Sequence, residues 1–119
     1  MRVRFRADND LNRDIVRAVL RIRPEIDFES RQLHGLDDQA VLQLAALEGS
    51  LLVTHDLSTI PPLFASLRGQ LELPGVILIP QTFPVRMAAE ALELIWALSD
   101  AGEWGNRLWH LPSLAEFAR

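Results

Sequence analysis

Hydrophobic and polar positions alternate along this chain in two rhythms, short apolar runs and longer stripes at helical spacing. Val3 to Ala7 is a short β-prone run that stops abruptly at Asp8-Asn9-Asp10. From Leu11 to Ile22, the residues Leu11, Ile15, Val16, Val19 and Leu20 fall on one helical stripe, and Pro24 closes the segment. Ile26 to Phe28 reads as a brief strand and His34-Gly35 as a turn. Asp37 or Asp38 then caps a second helix, with Val41, Leu42, Leu44, Ala45 and Leu47 facing inward and Gly49 as the stop. Leu51 to Val53 is an apolar strand that ends at Thr54-His55-Asp56. A short helix follows from Ile60 to Leu67, its Pro61-Pro62 lying in the first turn, where proline is tolerated. Val76 to Ile79 is the clearest buried strand. Pro84 opens a long helix from Val85 to Ala101 with Met87, Ala91, Leu94, Ile95 and Leu98 as its core stripe, and Gly102 ends it. Arg107 to Leu111 adds an edge strand.

Strands that alternate with helices imply a parallel sheet covered on both faces and joined by right-handed crossovers. The expectation is one α/β domain over residues 1–119, with four to five short strands in a mainly parallel central sheet. Composition supports a folded, water-facing chain: 49% of the 119 residues are hydrophobic and 24% charged. No uncharged apolar run approaches the length of roughly 18 residues that a membrane helix needs, so no membrane partner is expected. The basic start Met1 to Arg6 has no apolar run behind it, so no signal peptide is expected and the cytoplasm is the default location. Cysteine is absent, which excludes disulfides, thiolate chemistry and cysteine zinc sites. The net charge of −4 argues against binding nucleic acid by bulk attraction alone, though not against acting on it. Every basic residue is arginine; catalytic lysine chemistry is excluded, and the set supplies only the fork-shaped side chain that grips phosphate bidentately, a composition that codon bias would equally produce.

The acids are where the pattern becomes chemical. In an open parallel sheet, ligands bind beyond the carboxyl ends of the strands. Asp8 and Asp10 follow the first strand, Asp56 follows the third, and Asp38 begins the helix leading into the third. If those two strands are neighbours, their ends lie roughly 5 Å apart and the carboxylates share a pocket. Such a cluster repels itself unless a cation neutralises it, and oxygen-only ligands favour Mg²⁺ or Mn²⁺. Each acid also has an ordinary reading, because aspartate is a favoured helix N-cap and all four precede helices.

Three blocks carry a resemblance. Phe5-Arg6-Ala7-Asp8-Asn9-Asp10-Leu11 looks like the "LADENL" opening of small PIN-like proteins related to VapC-type toxins. The segment Gly35 to Ala45 resembles their "GASDEEVLELA", and Leu51 to Asp56 resembles their "VLLTRD" strand end. The blocks occur in the family's order and span about the first half of the chain. The resemblance implies a three-layer α/β/α sandwich and a metal-dependent endoribonuclease of the toxin type, hydrolysing RNA phosphodiesters and restrained by a small antitoxin protein. Its metal-binding acids fall on Asp8, Asp38 and Asp56, with Asp10 in reserve. Asp8 and Asp56 would be the main ligands, Asp38 would ligate directly or hold a metal-bound water, and Thr54 would position Asp56 or a water.

The chain also departs from the family. Arg6 stands where an apolar strand residue is usual; it offsets the acids, contacts substrate phosphate or snorkels to an edge. Asn9-Asp10 reverses the usual Glu-Asn order. Ser58 stands where a fourth acid is expected, which brings in a second reading, a PIN-like binding module without catalysis. His55 abuts Asp56 and is a candidate substrate contact or an ordinary turn histidine; His34 and His110 lack ligand spacing. Trp96, Trp104 and Trp109 read as core packing or as a homodimer or partner surface. A phosphoacceptor receiver domain also clusters acids at strand ends, but it wants a lysine that this chain lacks.

Overall fold

A computed structural model describes residues 1–111 of the chain. Five strands, β1 (Phe5–Ala7), β2 (Phe28–Glu29), β3 (Leu51–Thr54), β4 (Val76–Leu78) and β5 (Leu108–His110), form one all-parallel sheet in the order β2-β1-β3-β4-β5. Four helices connect them: α1 (Arg13–Ile22), α2 (Asp38–Glu48), α3 (Ile60–Leu67) and α4 (Val85–Leu98). The expected α/β class, with helices on both faces of a parallel sheet, is what the structure shows.

Strand alternation divides the core in two. Phe5, Ala7, Leu51, Val53 and Ile77 point to the face covered by α1 and α4. Leu52, Val76 and Leu78 point to the opposite face, under Val41, Leu42 and Ala45 of α2 and Ile60 and Phe64 of α3. Because side chains alternate with a period of two, Arg6 and Asp8 fall on that second face, together with Thr54.

The crossovers correct one expectation. From β1 to β2 the chain steps one way along the sheet through α1; from β4 to β5 it steps the other way through α4, yet α4 packs on the same face as α1. The two connections therefore have opposite hands. Those through α2 and α3 move with the second step but over the other face, so they share the hand of the α1 connection. With those three right-handed as is usual, the α4 connection is left-handed. Placing α4 there balances the layers, because α1 alone would leave β3 and β4 uncovered on that face.

α4 also shows which stripe wins. Its buried residues are Ala88, Ala89, Ala91, Leu92, Ile95 and Trp96, while Met87, Leu94 and Leu98 of the expected stripe lie outside, Leu98 72% exposed. Small alanines let α4 approach Ile15, Val16 and Val19 of α1 closely, and large-residue periodicity cannot reveal that preference. Leu47 likewise lies outside, at 88% exposed, because α2 is apolar on several sides and only Val41, Leu42 and Ala45 face inward. α4 ends at Leu98 rather than Ala101: Ser99 is extended, and Asp100 starts a separate 3-10 turn (Ala101–Glu103) closed by a capping box with Glu103. Trp96 and Trp104 are buried in the α1/α4 core, and Trp109 packs edge-on against Trp104 at 5.9 Å. Among the described residues, no helix is long and apolar enough to cross a membrane.

Candidate acidic site

β1 and β3 are neighbours, paired Phe5 to Leu51 and Ala7 to Val53. The ladder runs one step further, where the Asp8 amide donates to the Val53 carbonyl at 2.9 Å. That bond fixes Asp8 at the carboxyl end of β1 beside Thr54 at the end of β3. The buried Asp8 carboxylate accepts from the Thr54 hydroxyl at 2.7 Å and from the Asn9 amide at 2.8 Å. Asp10 bends back to the same hydroxyl, with its Oδ1 3.2 Å from Thr54 Oγ1 and 3.4 Å from the His55 amide. Thr54 Oγ1 also accepts from the Asp56 amide at 3.0 Å.

A hydroxyl carries one proton, so it serves only one of two carboxylates at a time. The other meets a neighbouring negative charge. Burial, and next the charge of Asp8, push the Asp10 carboxyl above its ordinary value, against the opposing pull of the His55 amide and the Thr54 hydroxyl. Asp38 is raised too, by burial first and then by Asp8, Asp56 and Asp37. The charge of Asp8 thus acts on both Asp10 and Asp38, and that of Asp56 on Asp38, although among the described residues only Asp8 and Asp10 converge on one atom.

Capping accounts for some acids and not others. α1 is capped by Asn12, whose side chain accepts from the Asp14 amide, so neither Asp8 nor Asp10 is needed there. Asp37 caps α2 by accepting from the Ala40 amide at 2.8 Å, which leaves Asp38 outside that role. Asp56 is not a helix cap either, since α3 starts after Thr59 without a side-chain cap; its Oδ1 accepts from the Ser58 and Thr59 amides at 3.2 and 2.8 Å and so orders the turn before α3. Ser58, where a fourth acid is expected, donates its hydroxyl to the same oxygen at 3.3 Å.

Arg6 lies on the same face as this cluster but is taken up by another partner. Its buried guanidinium forks onto Glu48 at the end of α2, with Nε 3.0 Å from Oε1 and Nη2 bonded to Oε2. A contact with substrate phosphate would require that pair to open. His55 is committed twice. Its Nδ1 lies 2.7 Å from the Ile79 carbonyl, which can only accept, so the proton sits there and Nε2 accepts from the Asn12 amide at 3.1 Å. That tautomer ties β3, β4 and the start of α1 together and leaves no ring nitrogen for a substrate or metal.

Two residues that hold the surroundings of the acids escape sequence reasoning. Glu48 carries no motif; only the burial of Arg6 on a covered face calls for a carboxylate opposite it. Arg13 binds backbone carbonyls around the β1–α1 loop, and no side-chain pattern encodes such contacts.

Among the described residues, no three His, Asp or Glu side chains come close enough together to hold one cation. Asp8 and Asp10 alone converge. Mg²⁺ is commonly held by one or two carboxylates with water in its other positions, so this pair meets the minimum for such an ion while a closed protein cage is not assembled. Compared with protein-family models, with curated proteins and with solved structures, the chain matches none.

Proposed function

We propose that this chain is a metal-dependent ribonuclease of the PIN-like, toxin type, acting through the acids at the carboxyl ends of β1 and β3. The observation that carries the reading is the convergence of Asp8 and Asp10 on the single Thr54 hydroxyl, with the charges of Asp8 and Asp56 also felt at Asp38. Asp8 and Asp10 would hold Mg²⁺ or Mn²⁺, and Asp38 would hold a water of that ion. Asp56 takes part through Oδ2, since Oδ1 orders its own turn. When bound, the ion acidifies a water and offsets charge on the phosphodiester. Thr54 keeps the two carboxylates together, and no histidine acts as a base. The full reading includes RNA as substrate, a small antitoxin protein that covers the site, and residence in the cytoplasm.

A Mn²⁺ titration and a cleavage assay on a broad RNA pool test this in the wild type and in Asp8→Asn, Asp10→Asn, Asp38→Asn and Asp56→Asn. Asp8→Asn and Asp10→Asn should each lower metal affinity and cleavage by at least about 10- to 100-fold. The reading fails if the wild type neither binds Mn²⁺ at these acids nor cleaves RNA, or if cleavage is the same in all the variants, which marks a contaminating nuclease. A short adjacent reading frame whose product binds and inhibits the chain would support the toxin assignment.

The second reading is a PIN-like binding module without catalysis. It is favoured by the absence of three converging acids among the described residues and by serine at position 58. Mn²⁺ bound at Asp8 and Asp10 without any cleavage would select it.

A further inference from the structure

Asp8 and Asp10 sit at the two ends of one tight turn, and their mutual repulsion favours a shape in which the solvent-exposed Asp10 moves away from the buried Asp8. Arg13, the first residue of α1, opposes that movement. Its Nη1 donates to the carbonyls of Asp8 and Leu11, each at 2.8 Å, and lies 3.5 Å from that of Asn9. On the other side of the guanidinium, Nη2 and Nε donate to the Ser30 carbonyl just after β2, at 2.8 and 3.2 Å. The loop is also closed on itself, because the Leu11 amide donates to the Asp8 carbonyl at 3.0 Å.

The choice of partners is informative. Arg17, one turn further along α1, pairs with Asp14 in the ordinary surface manner. Arg13 has Asp10 and Asp14 nearby in sequence and instead spends its donors on carbonyls from two connections. Only a planar fork with five N–H groups can bridge them; a lysine ammonium is a single point. To move Asp10 outward, the peptide units between Asp8 and Leu11 must rotate, and that breaks the bonds converging on Nη1.

We infer that Arg13 is a positioning residue: its guanidinium, forked between the β1–α1 loop and Ser30, holds the loop in the shape that brings the Asp8 and Asp10 carboxylates together. Its importance for metal binding rests on the function proposed above; its hold on the loop does not.

Arg13→Lys keeps the charge and removes the fork. In that variant, amide hydrogen exchange at Asn9 and Leu11 should quicken by about tenfold or more, and Mn²⁺ affinity should fall by about tenfold with Tm nearly unchanged. Unchanged exchange overturns the inference, and so does faster exchange with unaltered Mn²⁺ affinity. If the wild type takes up no Mn²⁺, the metal reading fails, and exchange alone decides the brace: faster upholds it, unchanged overturns it. If Arg13→Lys does not fold, NMR of the wild-type guanidinium protons decides. Separate, slowly exchanging Arg13 Nη signals support the brace, whereas signals averaged like those of exposed Arg31 overturn it.

Discussion

Arg6 and Asp8 stand two residues apart on one strand, on the same face, and both are buried. Arg6 is answered by Glu48 in a two-pronged ion pair. Asp8 is answered by a hydroxyl that it must share with another acid. Folding alone explains the first arrangement, because a buried charge needs a partner of opposite sign. It does not explain the second, in which a second carboxylate is brought to a place already occupied by one. Among the described residues, charge left uncompensated thus stands beside charge carefully compensated, and the proposed cation site rests on that contrast. His55 shows a third solution nearby, a buried polar ring satisfied at both nitrogens without any charge.

The contrast can be broken from its stable side first. Glu48→Ala strands the Arg6 guanidinium, whose side chain is 7% exposed. Since Glu48 itself is 31% exposed, the cost should be about 2–3 kcal/mol in urea unfolding, below the full penalty of a deeply buried pair. A loss under about 0.5 kcal/mol would show that Arg6 finds water or another acceptor. His55→Ala leaves the Ile79 carbonyl and the Asn12 amide without their partner and should cost about 2 kcal/mol by the same measurement.

Asp10→Asn should do the reverse in metal-free protein and stabilise it, by about 0.3–0.5 kcal/mol, the scale of a like-charge pair close to solvent. The sign follows from the titration. The folded state holds the Asp10 proton more tightly than the unfolded chain does, so Asp10 favours folding at low pH, and that contribution is lost as pH rises through its raised value. The advantage of Asp10→Asn should therefore grow from about pH 4 upward, level off once Asp10 is ionised, and disappear when Mn²⁺ is added. An advantage that shrinks with rising pH contradicts this account. The smallest change in stability belongs to Asp56→Asn, about 0.2 kcal/mol, because the asparagine side-chain oxygen can accept the same turn bonds from Ser58 and Thr59. A Mn²⁺ titration of that variant then separates the turn from a ligand: unchanged affinity leaves Asp56 as a turn residue alone.

The strand ends were legible in the sequence because apolar runs stop there at acids, and Leu51 to Val53 followed by Thr54-His55-Asp56 placed β3 almost to the residue. α3 was readable from its prolines. The inward face of α4 was not, since alanines that permit close approach look less hydrophobic than the leucines left outside. At the site, the strand-end positions of Asp8 and Asp56 followed from the pattern, whereas Thr54 was expected, from the resemblance alone, to position Asp56 or a water, and its bond to Asp8 was not foreseen. The convergence of Asp10 was hidden, because it depends on how tightly the loop after β1 turns, and that turn is held by Arg13 through carbonyls common to every residue. Asp37 as the cap of α2 could not be told from Asp38 without the hydrogen bond to Ala40.

The placement of α4 beside α1 has a consequence for how the chain is made. Phe5 and Ala7 emerge from the ribosome early, yet the layer that seals their side of the sheet is completed only when Val85 to Leu98 follows. At ordinary translation speeds of 5–20 residues per second, that wait is roughly 5 to 18 s. During it, Val53 and Ile77 join the uncovered surface before the helix that shields them exists. Nascent chains stopped short of α4 should stick to one another and to holding chaperones, while those carrying the whole helix should not.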